Sequence, residues 1–372
     1  MLNTLVEYSW LEKAQKENAF QYLVPTHIFW EITTGCNLLC STCDYTAEKE
    51  CSKDDLSTMQ AFDLIDGVTS LSRPTLIITG GEPLIRPDFF EITQYAVSKG
   101  LKVYVITNGT LLYPSTAAKL KEIGIDRVAV KIAGSKPITH DQFHGVNGSF
   151  ERTLLGVSNL HDAGIDIQFN VTITKQNIHE LDDIIELSTK FHIKTLQLSI
   201  LDNLRFRNKR NDSIILDNEI MQIVEWIYHC KRIVPFSIEL SCSPHLLLFI
   251  RQLTNFYRDT KVTTKQRHTH ITTSCLAGKK MCYISYNGKI QPCKDLDVSA
   301  GTVTENSFKQ IWNNSELFNN LRNPSNLQGK CGGCAIVNSC AGGCRALAYH
   351  EYGNYLAEEP DCTFMTTNLK LK

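Results

Sequence analysis

Six short β-rich runs alternate with amphipathic stretches between residues 26 and 201, and this alternation confines the chain to an α/β fold. The runs cover 26–33, 75–79, 102–107, 127–132, 165–172 and 195–200. Between them, 89–98, 115–123, 150–163 and 177–191 are long enough for crossover helices. Apolar strands joined in this way form a parallel sheet covered by helices. Six such units make a partial (β/α)6 TIM-like barrel, in which chemistry gathers at the C-terminal strand ends. Ser57 and Gln60 have capping-box spacing, and Phe62, Ile65 and Val68 follow at helical spacing. Past residue 201 the pattern weakens, with helical stretches near 218–233 and 244–257 and an edge strand at 236–240.

Lys and Arg number 38 against 39 Asp and Glu, a balance that gives no reason to expect a nucleic-acid or anionic-membrane partner. The basic run from Arg205 to Arg210 reads as a solvated loop, and His268 and His270 as loop histidines. No window approaches the length of a membrane span; the apolar burst Leu246 to Ile250 reads as a buried helix face. The start, Met1-Leu2-Asn3-Thr4, lacks the layout of a secretory signal, which places the chain in the cytoplasm. Thiols stay reduced there, so the 14 cysteines point to metal or cluster ligation before disulfides.

The cysteines are grouped. Cys36, Cys40 and Cys43 follow the first run in a C-x3-C-x2-C spacing. Three thiolates are one fewer than a [4Fe–4S] cluster normally takes, which leaves one iron open to a ligand. The second run ends in Gly80-Gly81-Glu82-Pro83, where two glycines let backbone approach a ligand and Glu82 adds a carboxylate able to fix an ammonium. The third ends in a turn, Thr107-Asn108-Gly109-Thr110. Eight more cysteines lie between Cys275 and Cys362; Cys51, Cys230 and Cys242 stand apart and read as inert thiols. Asn287-Gly288 between alternating runs signals a hairpin that brings Cys282 and Cys293 near one another.

These motifs, in this order, resemble the radical S-adenosylmethionine (radical SAM) enzymes over roughly the first two hundred residues. The resemblance implies that Cys36, Cys40 and Cys43 hold a [4Fe–4S] cluster whose open iron chelates S-adenosylmethionine. It also implies that Gly80, Gly81, Glu82 and Pro83 form the segment facing the methionyl amino group. One electron would then cleave the sulfonium, and the 5′-deoxyadenosyl radical would abstract a substrate hydrogen. Asn108, Lys131 and Asn170 join the expected cofactor-binding set. The chain departs from the family at Thr42, where an aromatic residue is common, and at Lys131 and Ala133, where a Ser and an Asp are usual. Lys131 could meet the methionyl carboxylate as a point charge.

The C-terminal spacings, C-x12-G-x4-C from Cys275 to Cys293 and C-x2-C-x5-C-x3-C from Cys331 to Cys344, then Cys362, resemble the SPASM extension of that family. By position, Cys275, Cys282, Cys293 and Cys344 would hold one auxiliary [4Fe–4S] cluster, and Cys331, Cys334, Cys340 and Cys362 another, three clusters in all. Two four-cysteine zinc sites are the bland alternative, which the barrel motifs disfavour. The expected division is an N-terminal extension 1–25, a barrel core 26–215, a helical bridge 216–274 and a SPASM domain 275–372.

For function, modification of a peptide or protein by a maturase ranks first, tetrapyrrole side-chain modification in haem-type synthesis second, and a non-catalytic cluster-binding regulator third. The segment from Cys340 to Tyr349 and on to Cys362 resembles both the tetrapyrrole enzymes and the pyrroloquinoline quinone peptide enzyme, so it does not separate the first two. Only 25 residues precede the first strand, too few for a peptide-binding domain, so a peptide would need direct docking or a separate recognition protein. An external electron donor, such as flavodoxin or ferredoxin, completes the expected partners. No acid–base side chain is identified.

Overall fold

The computed structural model describes residues 24–43, 51–200, 215, 217–231, 233–241, 275–360 and 362. Most of the 1–25 extension, the 205–210 basic run, Cys242, the 244–257 stretch and the two loop histidines lie outside the described residues.

The parallel strands form where expected: β1 (His27–Glu31), β2 (Thr75–Thr79), β3 (Lys102–Thr107), β4 (Arg127–Lys131), β5 (Asp166–Ile173) and β6 (Thr195–Ile200). Each pairs in parallel with the next in sequence order. The edge strand of the sequence reading is β7 (Ser237–Leu240), which adds in parallel to β6. Helices α1 (Thr58–Thr69), α2 (Phe89–Ser98), α3 (Pro114–Ile123), α4 (Pro137–His144), α5 (Ser149–Asp162) and α6 (Leu181–Lys190) fill the crossovers, and α7 (Asp217–Cys230) precedes β7. The capping box is made: Ser57 accepts from the Gln60 N–H, and Gln60 Oε1 accepts from the Ser57 N–H.

Alternation along the strands separates two faces. On β5, Ile167, Phe169, Val171 and Ile173 are buried, whereas Gln168, Asn170 and Thr172 between them are half-buried. Ile28, Trp30, Ile78, Val105, Val130, Phe169 and Leu198 belong to one continuous core. Each fully buried aliphatic or Phe side chain contributes about 1.5–3 kcal/mol.

The far end of the sheet is built by a distant part of the chain. β8 (Met281–Ile284) pairs in parallel with β1, Cys282 standing opposite Ile28. It turns back into β9 (Lys289–Gln291), antiparallel to β8, and β10 (Gly301–Thr302) follows. The order is β10-β9-β8-β1-β2-β3-β4-β5-β6-β7, an open barrel-like sheet with the C-terminal hairpin on one edge. α8 (Phe308–Asn314) and α9 (Glu316–Arg322) follow; short helical turns then hold Cys331 and Cys340, and Cys344 caps a last helix among the described residues at Arg345–Tyr352. No helix among the described residues is long and apolar enough to cross a membrane.

Candidate active site

The loop after β1 carries Cys36 and Cys40, both half-buried, and Cys43, exposed. Its backbone is tied on three sides. Gly81 N–H donates to Thr33 O and Glu82 N–H to Gly35 O, both at 2.8 Å. Asn37 Nδ2 donates to Thr110 Oγ1, and Asn108 Nδ2 to Asn37 Oδ1, each at 2.9 Å. Leu39 N–H donates to His144 O and Ser41 N–H to Phe143 O, also at 2.9 Å. The loops after β1, β2 and β3 and the end of α4 are thereby one bonded unit at the strands' C-terminal ends.

The thiols lie within electrostatic reach of one another and of Lys131. Burial raises the Cys36 thiol, against the Leu38 N–H that donates to its sulfur. Burial pushes the Cys40 thiol up to about 11, against the pull of Lys131. Both are therefore protonated at neutral pH in the bare chain and lose their protons as a metal binds.

Gly81 sits where a side chain cannot: a Cβ there would lie 2.2 Å from Gly35 O and 2.5 Å from Thr34 O. Pro83 is buried and begins a 3-10 turn over Pro83–Ile85. Glu82 is fully buried. Oε1 accepts from Thr107 Oγ1 at 2.7 Å and Leu84 N–H at 3.2 Å, and Oε2 accepts from Asn108 N–H at 2.7 Å. Burial raises its pKa while these donors oppose the rise. Glu82 thus holds the β2 and β3 loops together. Asn108 is likewise a brace, since its Oδ1 also accepts from Thr110 N–H and Oγ1.

Lys131 ends β4 with an exposed side chain, opposite Asn170 in the β4–β5 register. Both border a cavity of about 320 Å³. Thr172, Gln197 and Ser199 give this cavity one polar wall, and Phe29 and Ile106 give it apolar surface. Gln168 donates to Asn170 Oδ1 at 2.7 Å and to Gln197 Oε1 at 3.0 Å, which fixes that wall. Cys282 and Cys293 border the same cavity, so the Asn-Gly hairpin does bring them to one place.

Sequence reasoning missed two parts of the site. Arg86, 5% exposed, donates to Ile32 O and Leu56 O at 2.6 Å and pairs with Asp88 at 2.7 Å, bracing the cysteine loop from behind. Helix α4 was also passed over, and it supplies His140 and His144, both buried. His140 Nδ1 accepts from Ala133 N–H at 3.3 Å. The signals were present: Pro137 at the first helical position and Gly145, at φ +67°, just past the end.

Burial holds the pKa of His140 down to about 4. A histidine neutral in the fold but titrating near 6.5 when unfolded binds more protons unfolded. Its contribution is present above pH 6.5 and lost as pH falls towards 4. Going from pH 7 to 4.5 is expected to remove about 2–3 kcal/mol through this group. His140→Phe should flatten that dependence, read from urea midpoints at the two pH values; an unchanged slope would refute it.

In the C-terminal part, Cys331 and Cys340 each lie within electrostatic reach of Cys362, and of one another. Cys334 follows Cys331 in a turn closed by Cys334 N–H to Cys331 O. Glu359 N–H donates to Cys331 Sγ at 3.4 Å, and the Glu359 carboxylate accepts from Cys344 N–H. Lys279 is electrostatically coupled to both Cys275 and Cys340. Cys282 is fully buried in β8, which drives its thiol pKa far up, with Arg322 as its charged neighbour. Among the described residues no three His, Cys, Asp or Glu side chains converge on a single-ion site. The donor set of the β1 loop is nonetheless all thiol, the choice of soft iron–sulfur chemistry, and the side-chain-free Gly81 lies against it.

Residues 30–188 match the radical SAM superfamily, and 275–335 match the SPASM iron–sulfur cluster-binding domain. An AdoMet-dependent heme synthase of Methanosarcina barkeri is 38% identical over 341 residues, 91% of this chain and 97% of that protein. An Fe-coproporphyrin III synthase of the same organism is 29% identical, covering 90% of this chain and 87% of its own. A mycofactocin maturase of Mycobacterium tuberculosis is 25% identical, over 91% of this chain and 83% of its own. Among solved structures, Streptococcus suis SuiB bound to its precursor peptide SuiA shares the fold at a TM-score of 0.72. It is 15% identical and covers 97% of this chain and 82% of that one.

Proposed function

Since the chain belongs to the radical SAM enzymes with a SPASM iron–sulfur domain, we propose that it modifies side chains of an iron tetrapyrrole in haem synthesis. The observation carrying this reading is the 38% identity to a heme synthase across 97% of that relative's length. It reverses the order of the two readings taken from sequence. The maturase relatives keep peptide modification as the second reading.

In this reading Cys36, Cys40 and Cys43 hold the [4Fe–4S] cluster that binds S-adenosylmethionine. When bound, the pair supplies reductive cleavage of the sulfonium and a hydrogen-abstracting 5′-deoxyadenosyl group. The chain's own residues do the rest. Lys131 presents an ammonium beside Cys36 and Cys40, where it can meet a carboxylate. The Gly80-Gly81 backbone lies against the cysteine loop, and Glu82 and Asn108 keep it there. Asn170, Thr172, Gln197 and Ser199 offer hydrogen bonds to acidic side chains, while Phe29 and Ile106 suit a flat apolar ring.

Cys331, Cys334, Cys340 and Cys362 are proposed for one auxiliary cluster, and Cys275, Cys282, Cys293 and Cys344 for the other. The mutual reach of Cys331, Cys340 and Cys362 supports the first set. The boundaries 26–215, 216–274 and 275–372 are proposed with them, as is an external reductant of the flavodoxin or ferredoxin type and, for a peptide substrate, a separate recognition protein.

The test is anaerobic turnover with S-adenosylmethionine, dithionite and iron-coproporphyrin III, followed by absorbance and mass spectrometry. Haem formation with matching 5′-deoxyadenosine is the expected result. Release of 5′-deoxyadenosine with the tetrapyrrole unchanged would defeat the reading and return the peptide to first place.

A further inference from the structure

We propose that His144 is a positioning residue of the β1-loop cluster: its Nδ1–H donates to Cys40 Sγ and sets the reduction potential of that cluster. The inference rests on the reading that Cys36, Cys40 and Cys43 hold iron, and it concerns what surrounds that iron.

Three independent features build the contact. His144 Nδ1 stands 3.0 Å from Cys40 Sγ. The backbones on either side are clamped, with Leu39 N–H on His144 O and Ser41 N–H on Phe143 O. Gly145, at φ +67°, turns the chain immediately after the histidine, and a Cβ there would lie 2.6 Å from Leu39 O. The helix end and the cysteine loop therefore approach at a distance only glycine permits, and the ring is delivered to one chosen sulfur.

Chemistry then selects the direction of the bond. In the bare chain either partner could carry the proton. A cysteine that ligates iron is a thiolate with no S–H to give, so in the loaded protein only Nδ1–H to sulfur remains. Nε2 is left without a proton, and among the described residues it has no hydrogen-bond partner. The neighbouring ring has the opposite arrangement: His140 Nδ1 accepts from Ala133 N–H, so its proton is on Nε2. The two rings pack with centroids 4.4 Å apart and planes tilted by 54°, so His140 covers one side of the His144 ring.

A donor to a ligating sulfur withdraws charge from it and stabilises the reduced cluster, raising its potential. Lys131 acts on the same sulfur through charge. His144 differs in acting through one directed bond, so a substitute that keeps the donor in place should behave like histidine.

The experiment uses the full chain, reconstituted anaerobically, and follows the cluster whose electron paramagnetic resonance signal changes on adding S-adenosylmethionine. His144→Leu and His144→Phe should keep the iron and shift the midpoint potential of that cluster downwards. His144→Asn, whose Nδ2 reaches nearly the place of Nδ1, should return it towards wild type. Loss of iron in both apolar variants with retention in His144→Asn would support the same contact. Equal potentials in all variants, or equal iron loss in all three, would overturn it. A variant in which Cys36, Cys40 and Cys43 are all replaced and the iron content stays at the wild-type level would instead overturn the underlying assignment.

Discussion

Cys40→Ala is expected to lower 5′-deoxyadenosine formation by at least about 100-fold, since even partners one shell beyond a metal's ligands cost 10–100-fold when removed. The iron content should fall by about four per chain, one cubane of the three. The loop geometry explains why neither Glu82 nor Asn37 can substitute. Both are already committed: Glu82 to Thr107, Leu84 and Asn108, and Asn37 to Asn108 and Thr110. Cys334→Ala provides the contrast. It removes a proposed ligand of the C-terminal set, so cleavage of S-adenosylmethionine should persist in part while coupled turnover fails. Iron assays and quantified 5′-deoxyadenosine on both variants decide the matter. Equal losses of cleavage in the two would mean that the triplet is not a separate centre.

Gly81→Ala should be nearly as damaging, through packing rather than ligation. The new methyl would meet two backbone oxygens, Gly35 O at 2.2 Å and Thr34 O at 2.5 Å. Backbone cannot step aside as a flexible side chain can. The β2 loop would have to withdraw, breaking the bonds from Gly81 to Thr33 O and from Glu82 to Gly35 O. The upper end of the range for overpacking, about 3 kcal/mol, is expected in stability, together with loss of the β1-loop iron. Denaturation midpoints and iron counts test both. A Gly81→Ala chain with wild-type stability and full iron would show that the loops are not held this close.

Most of the barrel was legible because its strands are apolar on the core side and its helices begin and end with strong local signals. β2, β3 and β6 lie at the residues expected, and Ser57 and Gln60 cap α1 as their spacing implies. Helix α4 carried end signals in Pro137 and Gly145 but no apolar stripe to connect them. It has only eight residues, and its buried face is made by His140 and His144, which hydropathy counts as polar. The bracing contacts of Glu82 and Arg86 to Thr107, Asn108, Ile32 and Leu56 were hidden too, because those partners lie 25 or more residues away on other loops. The cysteines were conspicuous in spacing, but that Cys282 would enter a strand beside β1 was not, since parallel pairing between residues so far apart leaves no local trace.

That pairing bears on how the protein is made. β1 is among the first described segments to leave the ribosome, yet its partner β8 follows some 250 residues later. At ordinary translation speeds of about 5–20 residues per second, roughly 10–50 s pass with an apolar strand bare along one side. Such an edge invites pairing with another nascent chain. Production of this protein should therefore depend on how quickly its last quarter is synthesised, and a chain ended before β8 would be a source of aggregates rather than a working barrel.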